Sequence, residues 1–187
     1  MSARDELLAA ALAHVTEHGI GEVSLRALAT ALGTSHRMLI YHFGSRDGLL
    51  VELVRAVEQR ERDRLRDLTA DPELSPAERA QRFWTHLTDP ALWPSERLFF
   101  ELYGQALQGR PQALPLLDGV VTDWVDLIAE PALAAGVPVE QARADARLDL
   151  AVARGLLLDL LATGDVDGVR AAAERHLRRI SADAVGP

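Results

Sequence analysis

The chain of 187 residues contains no cysteine and no lysine. Without cysteine there is no disulfide framework, no thiolate zinc site and no cysteine nucleophile, and a reducing compartment is the natural expectation. Without lysine there is no Gly-Lys-Ser/Thr phosphate loop, and all 20 basic residues are arginine. Long apolar runs are missing as well. The N-terminal stretch "MSARDELLAAALAHV" carries Asp5 and Glu6 beside Arg4, and Asp159 cuts "GLLLDLL". Neither an export signal nor a membrane span is expected, so the protein reads as soluble and cytoplasmic. An excess of positive charge is lacking too. The net charge of −8 argues against a protein that coats nucleic acid indiscriminately, because such binding rests on neutralising many phosphates. The deficit is uneven: residues 1–68 hold 9 Arg against 10 Asp and Glu, a balance of −1, whereas residues 69–187 hold 11 against 18, a balance of −7.

Catalytic patterns are absent. There is no Gly-x-Ser-x-Gly elbow, and "GIGEVS" has neither a third glycine nor a preceding strand. His14 and His18 in "HVTEH" stand four apart, but no third ligand accompanies them, so solvated surface is the better reading. No catalytic residue, metal or cofactor is expected, and the chain does not read as an enzyme.

What is present is helical periodicity. Leu8, Leu12 and Val15 keep one face of a first helix apolar, and Leu25, Leu28, Ala29 and Leu32 do so for a second. Gly19 and Gly21 close the first, Ser24 caps the second, Gly33 ends it, and Ser35 and Ser45 cap the third and fourth. The fourth runs from about Arg46 to Leu68 and becomes a charge ladder, "EQRERDRLRDL", that suits exposed helix. "TADPELSPAER" is a boundary, and Ser75-Pro76-Ala77-Glu78 is a capping box that starts the fifth. Further helices are expected near 76–88, 95–108, 112–135, 138–163 and 166–181, with Pro131 bending or splitting the third of these. The fold class is all-α, with about nine helices and no sheet. A three-helix head over 1–46 precedes a larger helical body over 47–187, with helix four as connector.

Residues 24–43 have the layout of a helix-turn-helix, whose second helix enters the major groove. In that short helix Leu39 and Phe43 lie one turn apart and can bury together. This turns Arg37 and Tyr41 to roughly the opposite face, with His36 and Ile40 at the side. An exposed arginine there is suited to guanine, whose O6 and N7 accept two hydrogen bonds from one guanidinium.

The stretch "VSLRALATALGTSHRMLIYHFGSRDGLL", Val23–Leu50, resembles the TetR family of bacterial transcriptional regulators. That family has a Ser/Thr-capped helix, a Gly-x-Ser turn, a Leu-Tyr-x-His-Phe recognition helix and a Ser-Lys-Glu-x-Leu start to helix four. The match falls on Ser24, Leu25, Arg26, Ala29, Gly33, Ser35, Leu39, His42, Phe43, Ser45, Leu49 and Leu50. The resemblance implies that Arg26, His36, Arg37 and Tyr41 reach bases, and that Ser24, Ser35, His42 and Arg46 contact or lie near the DNA backbone. Met38 stands where threonine is common, Ile40 where a tyrosine usually touches a phosphate, and Arg46 where lysine is usual. Both Met38 and Ile40 belong to the DNA-facing set.

The body carries two further expectations. "RLDLAVARGLLLDLLATG" is apolar nearly all round, so it must be covered by its own core and by something else. The resemblance implies that the last two helices pair with the same two of a second subunit, through Leu148, Val152, Gly155, Leu156, Val169, Ala173 and Leu177. Of only 9 aromatic residues, 7 fall between positions 83 and 124. The resemblance places a ligand cavity there, with Trp84, Phe100, Tyr103 and Trp124 as apolar lining and His86 and Gln105 as polar handles. The expected protein is a homodimeric DNA-binding regulator, a repressor released from a palindromic operator by a small hydrophobic effector. The other reading, a helical ligand-binding or interaction protein with weakened DNA binding, rests on Met38, Ile40 and the acidic total.

Overall fold

A computed structural model describes residues 2–18 and 25–183, with side chains described over 2–15 and 25–180. The described residues form nine α-helices and no strand: α1 Ala3–His18, α2 Leu25–Ala31, α3 His36–Phe43, α4 Arg46–Ala70, α5 Pro76–Leu87, α6 Trp93–Leu107, α7 Thr122–Ala134, α8 Val139–Thr163 and α9 Val166–Asp183. Among them no helix is long and apolar enough to cross a membrane. The expected ends of the first helix at Gly19 and Gly21, the cap at Ser24 and the side chain of His18 lie outside the described residues.

The chain divides into two compact units, one of residues 1–61 and 94–118, the other of residues 62–93 and 119–187. The division therefore runs through α4 between Glu61 and Arg62, and Pro94–Leu107 of α6 groups with the first unit. The first unit buries Ala11, Leu12 and Val15 of α1, Leu25, Leu28 and Ala29 of α2, and Leu39 and Phe43 of α3. Leu49, Leu50, Leu53 and Val54 complete this core from the first half of α4. These are the positions at which helical spacing puts apolar side chains on one face of each helix.

The second unit is built on α5, α7, α8 and α9. Ser75 starts α5: its Oγ accepts from the Glu78 amide at 3.3 Å, and the Glu78 carboxylate accepts from the Ser75 amide at 2.9 Å. Trp124, Val125, Leu127 and Ala129 of α7 form one core cluster with Ala142, Ala146 and Leu150 of α8. The Arg62 guanidinium lies 5.9 Å from the Trp124 ring centre and 3.7 Å from an Asp123 carboxylate oxygen. A buried arginine thus spreads its stem and planar head over an aromatic face.

One expected helix is replaced. Over 112–135 the chain makes a short 3₁₀ turn at Leu114–Leu117 and begins α7 only at Thr122. The break sits at Gly119, whose φ of 74° is a left-handed conformation and whose missing Cβ leaves room for the Asp123 carboxylate, 2.6 Å from where a Cβ would lie. Pro131 neither ends nor splits α7, which continues to Ala134.

Candidate nucleic-acid interface

Helix α3 is eight residues long because both ends are fixed by local chemistry. Ser35 is extended (φ −102°, ψ 149°), and its Oγ accepts from the Met38 amide at 3.2 Å. At the other end Gly44 adopts φ 75° and its amide donates to the Ile40 carbonyl at 2.8 Å. Leu39 and Phe43 are 1% and 8% exposed and anchor the helix inward as their spacing predicts.

Two supports of α3 escaped the sequence reading. The Arg4 guanidinium lies 5.3 Å from the centre of the Phe43 ring and 3.0 Å from Glu52 Oε2, so one side chain of α1 links α3 to α4. Gly48, in the first turn of α4, sits so close to α3 that an added Cβ would run into the Phe43 carbonyl oxygen. A glycine in a helical pattern is the available signal for such an approach. The Arg4 contact has no local signature.

The outward face follows from these anchors. Tyr41 is 77% exposed and Met38 41% exposed, and His36, Arg37, Arg26, Ser35 and Arg46 are exposed as well. Ile40 is half-buried at the edge. His42 is also half-buried: its ring meets Tyr41 edge-on at 5.0 Å, and its Nε2 is enclosed without a hydrogen-bond partner among the described residues. Ser24 lies outside the described residues. From Leu25 to Arg46 the chain has three arginines, Arg26, Arg37 and Arg46, and no acidic residue, so in a protein of net charge −8 this surface is locally cationic. Arg46 has one acidic neighbour, Asp47, at 3.7 Å.

The residues expected to line a ligand cavity fall in different units. Trp84, His86 and Trp124 belong to the second, whereas Phe100, Tyr103 and Gln105 belong to the first. Trp124, 7% exposed, is core. Trp84 borders a cleft of about 30 Å³ with Thr88, Ala173 and Leu177. That is room for little more than one water. In the first unit Phe99 stacks on Tyr103 at 5.5 Å and meets Phe100 edge-on at 5.1 Å, while Gln105 Nε2 donates to Glu101 at 3.1 Å.

The expected dimer residues separate by burial. Leu148 is 59% exposed and Gly155 is exposed, Val152, Leu156 and Leu177 are half-buried, and Val169 and Ala173 are 1% and 2% exposed. Val169 and Ala173 are core residues of their own unit, and Ala173 borders the small cleft that α9 shares with α5. Periodicity places them on an apolar face but does not say what covers it. The exposed seam of α8 is instead Ala144, Leu148, Ala151, Gly155, Leu158 and Ala162, spaced alternately four and three residues apart. Leu158 is 49% exposed, and a Cβ on Gly155 would meet nothing within 4 Å.

Residues 7–53 match the family model of bacterial regulatory proteins of the tetR family. No curated protein matches the chain significantly. Solved structures share its fold from end to end. A transcriptional regulator from Rhodococcus sp. Rha1 aligns with TM-score 0.72 at 20% identity, covering 100% of both chains. A transcriptional regulator from Saccharomonospora viridis, solved with choline, aligns with TM-score 0.66 at 24% identity over 94% of this chain and 95% of that one. FadR of Thermus thermophilus, a TetR-family repressor solved with lauroyl-CoA, aligns with TM-score 0.65 at 19% identity over 94% of this chain and 91% of that one. Residues 7–53 thus carry the N-terminal pattern of the tetR family, and over the described residues the nine-helix fold is the one shared by these solved regulators.

Proposed function

We propose that the protein is a homodimeric transcriptional repressor that reads a palindromic operator with α3 and is released by a small hydrophobic effector. The observation that carries the reading is the outward face of α3: exposed Arg37, Tyr41, His36 and Met38 on a helix anchored by Leu39 and Phe43, with no acid from Leu25 to Arg46. Arg37 and Arg26 read base edges, and Tyr41 and Met38 supply ring and methyl contacts. Ser35 and Arg46 hold the backbone, joined by Ser24, while Ile40 offers only an apolar contact to sugars or thymine methyls where the family has a phosphate-bonding tyrosine. His42 is a backbone residue in the family pattern. With its Nε2 enclosed it acts here by packing beneath Tyr41.

Two heads reading half-sites roughly 34 Å apart need a second subunit. The exposed seam of α8 supports that pairing, because alternating spacings of four and three are the pattern by which one helix packs along another. Two proteins of this fold were solved with small molecules, choline in one and lauroyl-CoA in the other. They support an effector for this chain, and the aromatic-rich stretch favours an apolar one. The effector acts by binding the released form more tightly than the DNA-bound form, so operator DNA must weaken it by the same factor.

The test is a salt titration of the purified protein on its own upstream DNA. An operator-binding dimer shows log K falling steeply and linearly with log salt, with a slope of about −0.9 for each phosphate neutralised. A flat titration, or binding no tighter than to scrambled DNA, would reject the reading in favour of a helical ligand-binding protein without operator function.

A further inference from the structure

In the second unit a groove of about 780 Å³ opens between α7, α8 and α9. Ligand sites of small organic molecules span roughly 300–1,000 Å³ and combine apolar walls with a few placed polar groups. Ile128, Ala132 and Val137 are partly buried there and pack on the core cluster to which the buried Ala142 and Ala146 belong, so the floor is apolar. The ionisable lining consists of Asp145, Asp149, His176 and Arg179.

Asp145 and Asp149 stand one turn apart on α8, so their carboxylates share one side of the helix. Asp149 is bonded through Oδ1 to His176 Nε2 at 2.9 Å, and these side chains are 30% and 20% exposed. Burial pushes the Asp149 carboxyl up; the His176 bond pulls it down, and the Asp145 charge raises it further. One imidazole serves only one of the two acids. Asp145 is exposed and has no hydrogen bond or ion pair among the described residues.

We propose that this groove binds an organic ammonium ion with an apolar body, the ammonium at Asp145 and Asp149 and the body on the Ile128, Ala132 and Val137 floor. Asp149 is bonded to His176, whereas Asp145 has no hydrogen bond or ion pair among the described residues, so the groove offers an unpaired carboxylate that favours a cation over an anion. The apolar floor favours an organic cation over a metal ion, and no cluster of three or more metal-ligating side chains exists among the described residues. The groove is not the proposed subunit seam: Asp145, Asp149, Ala142 and Ala146 lie roughly a third of a turn round α8 from Ala151, Gly155 and Leu158. Leu148 alone borders both. The proposal does not depend on the operator reading.

The test is a titration of the full-length protein with hexylammonium, hexanol and hexanoate, following the His176 imidazole by NMR after assigning it through His176→Gln. Hexylammonium is expected to shift the His176 signal saturably, hexanoate is not, and Asp145→Asn should weaken hexylammonium by about tenfold. Asp145 is exposed, so the variant is expected to fold, and an unchanged thermal midpoint checks it. Equal affinity for hexanol or hexanoate, an affinity unchanged by Asp145→Asn, or no saturable shift with hexylammonium would each overturn the proposal.

Discussion

Gly48 and Asp149 show how single residues set the properties of their units. Alanine in place of glycine inside a helix ordinarily stabilises by about 1 kcal/mol. At position 48 the added methyl meets the Phe43 carbonyl, which is backbone and cannot swing away. Gly48→Ala is therefore expected to lower the urea midpoint of unfolding, with an unchanged slope. A raised midpoint would mean that α3 and α4 are not this close. Asp149 makes a pH prediction. Burial raises its carboxyl in the fold above the ordinary 3.8, so the protonated form is the one that folding favours. Its contribution is full below the unfolded value and lost as pH rises through the higher folded value. Asparagine can still accept from His176, so wild type should lose stability relative to Asp149→Asn as pH rises above the ordinary carboxyl value, measured as the difference in thermal midpoints. A difference that grows in favour of wild type would contradict the burial argument. At this scale the sequence was partly legible. Leu39 and Phe43 were readable because they are one turn apart, and Tyr41 and Arg37 followed on the opposite face. Arg4 was not readable, since its contact with Phe43 joins positions far apart in the chain.

Helices were the most legible elements, because caps and apolar spacing are local. Ser35 and Ser75 cap α3 and α5, and the expected ranges of α5, α8 and α9 agree with the structure to within two residues. The stretch 112–135 was not legible as a turn plus a helix, since its break depends on the Asp123 carboxylate filling the space at Gly119. Faces were harder than elements. α8 is apolar nearly all round and α9 has one apolar stripe, and spacing alone cannot separate a face covered by the same chain from one awaiting another. Burial separates them: Val169 and Ala173 are covered, whereas Leu148 and Leu158 are not. Leu148→Glu with Leu158→Glu should therefore leave helix content intact and halve the mass measured by light scattering. A variant that stays dimeric would move the interface elsewhere; a monomeric wild type would remove it.

For the molecule as a whole, an acidic protein binding DNA needs its positive charge concentrated rather than abundant, and the acid-free run from Leu25 to Arg46 meets that need. The central claim is that α3 reads sequence and does not merely touch DNA. It is tested most directly by fluorescence anisotropy of wild type and Arg37→Ala on the DNA upstream of its own gene and on a scrambled duplex at one fixed salt concentration. Arg37→Ala is expected to lose on the order of 1–3 kcal/mol of discrimination between the two duplexes. An affinity ratio equal to that of wild type would contradict the account, because Arg37 would then be contacting no base.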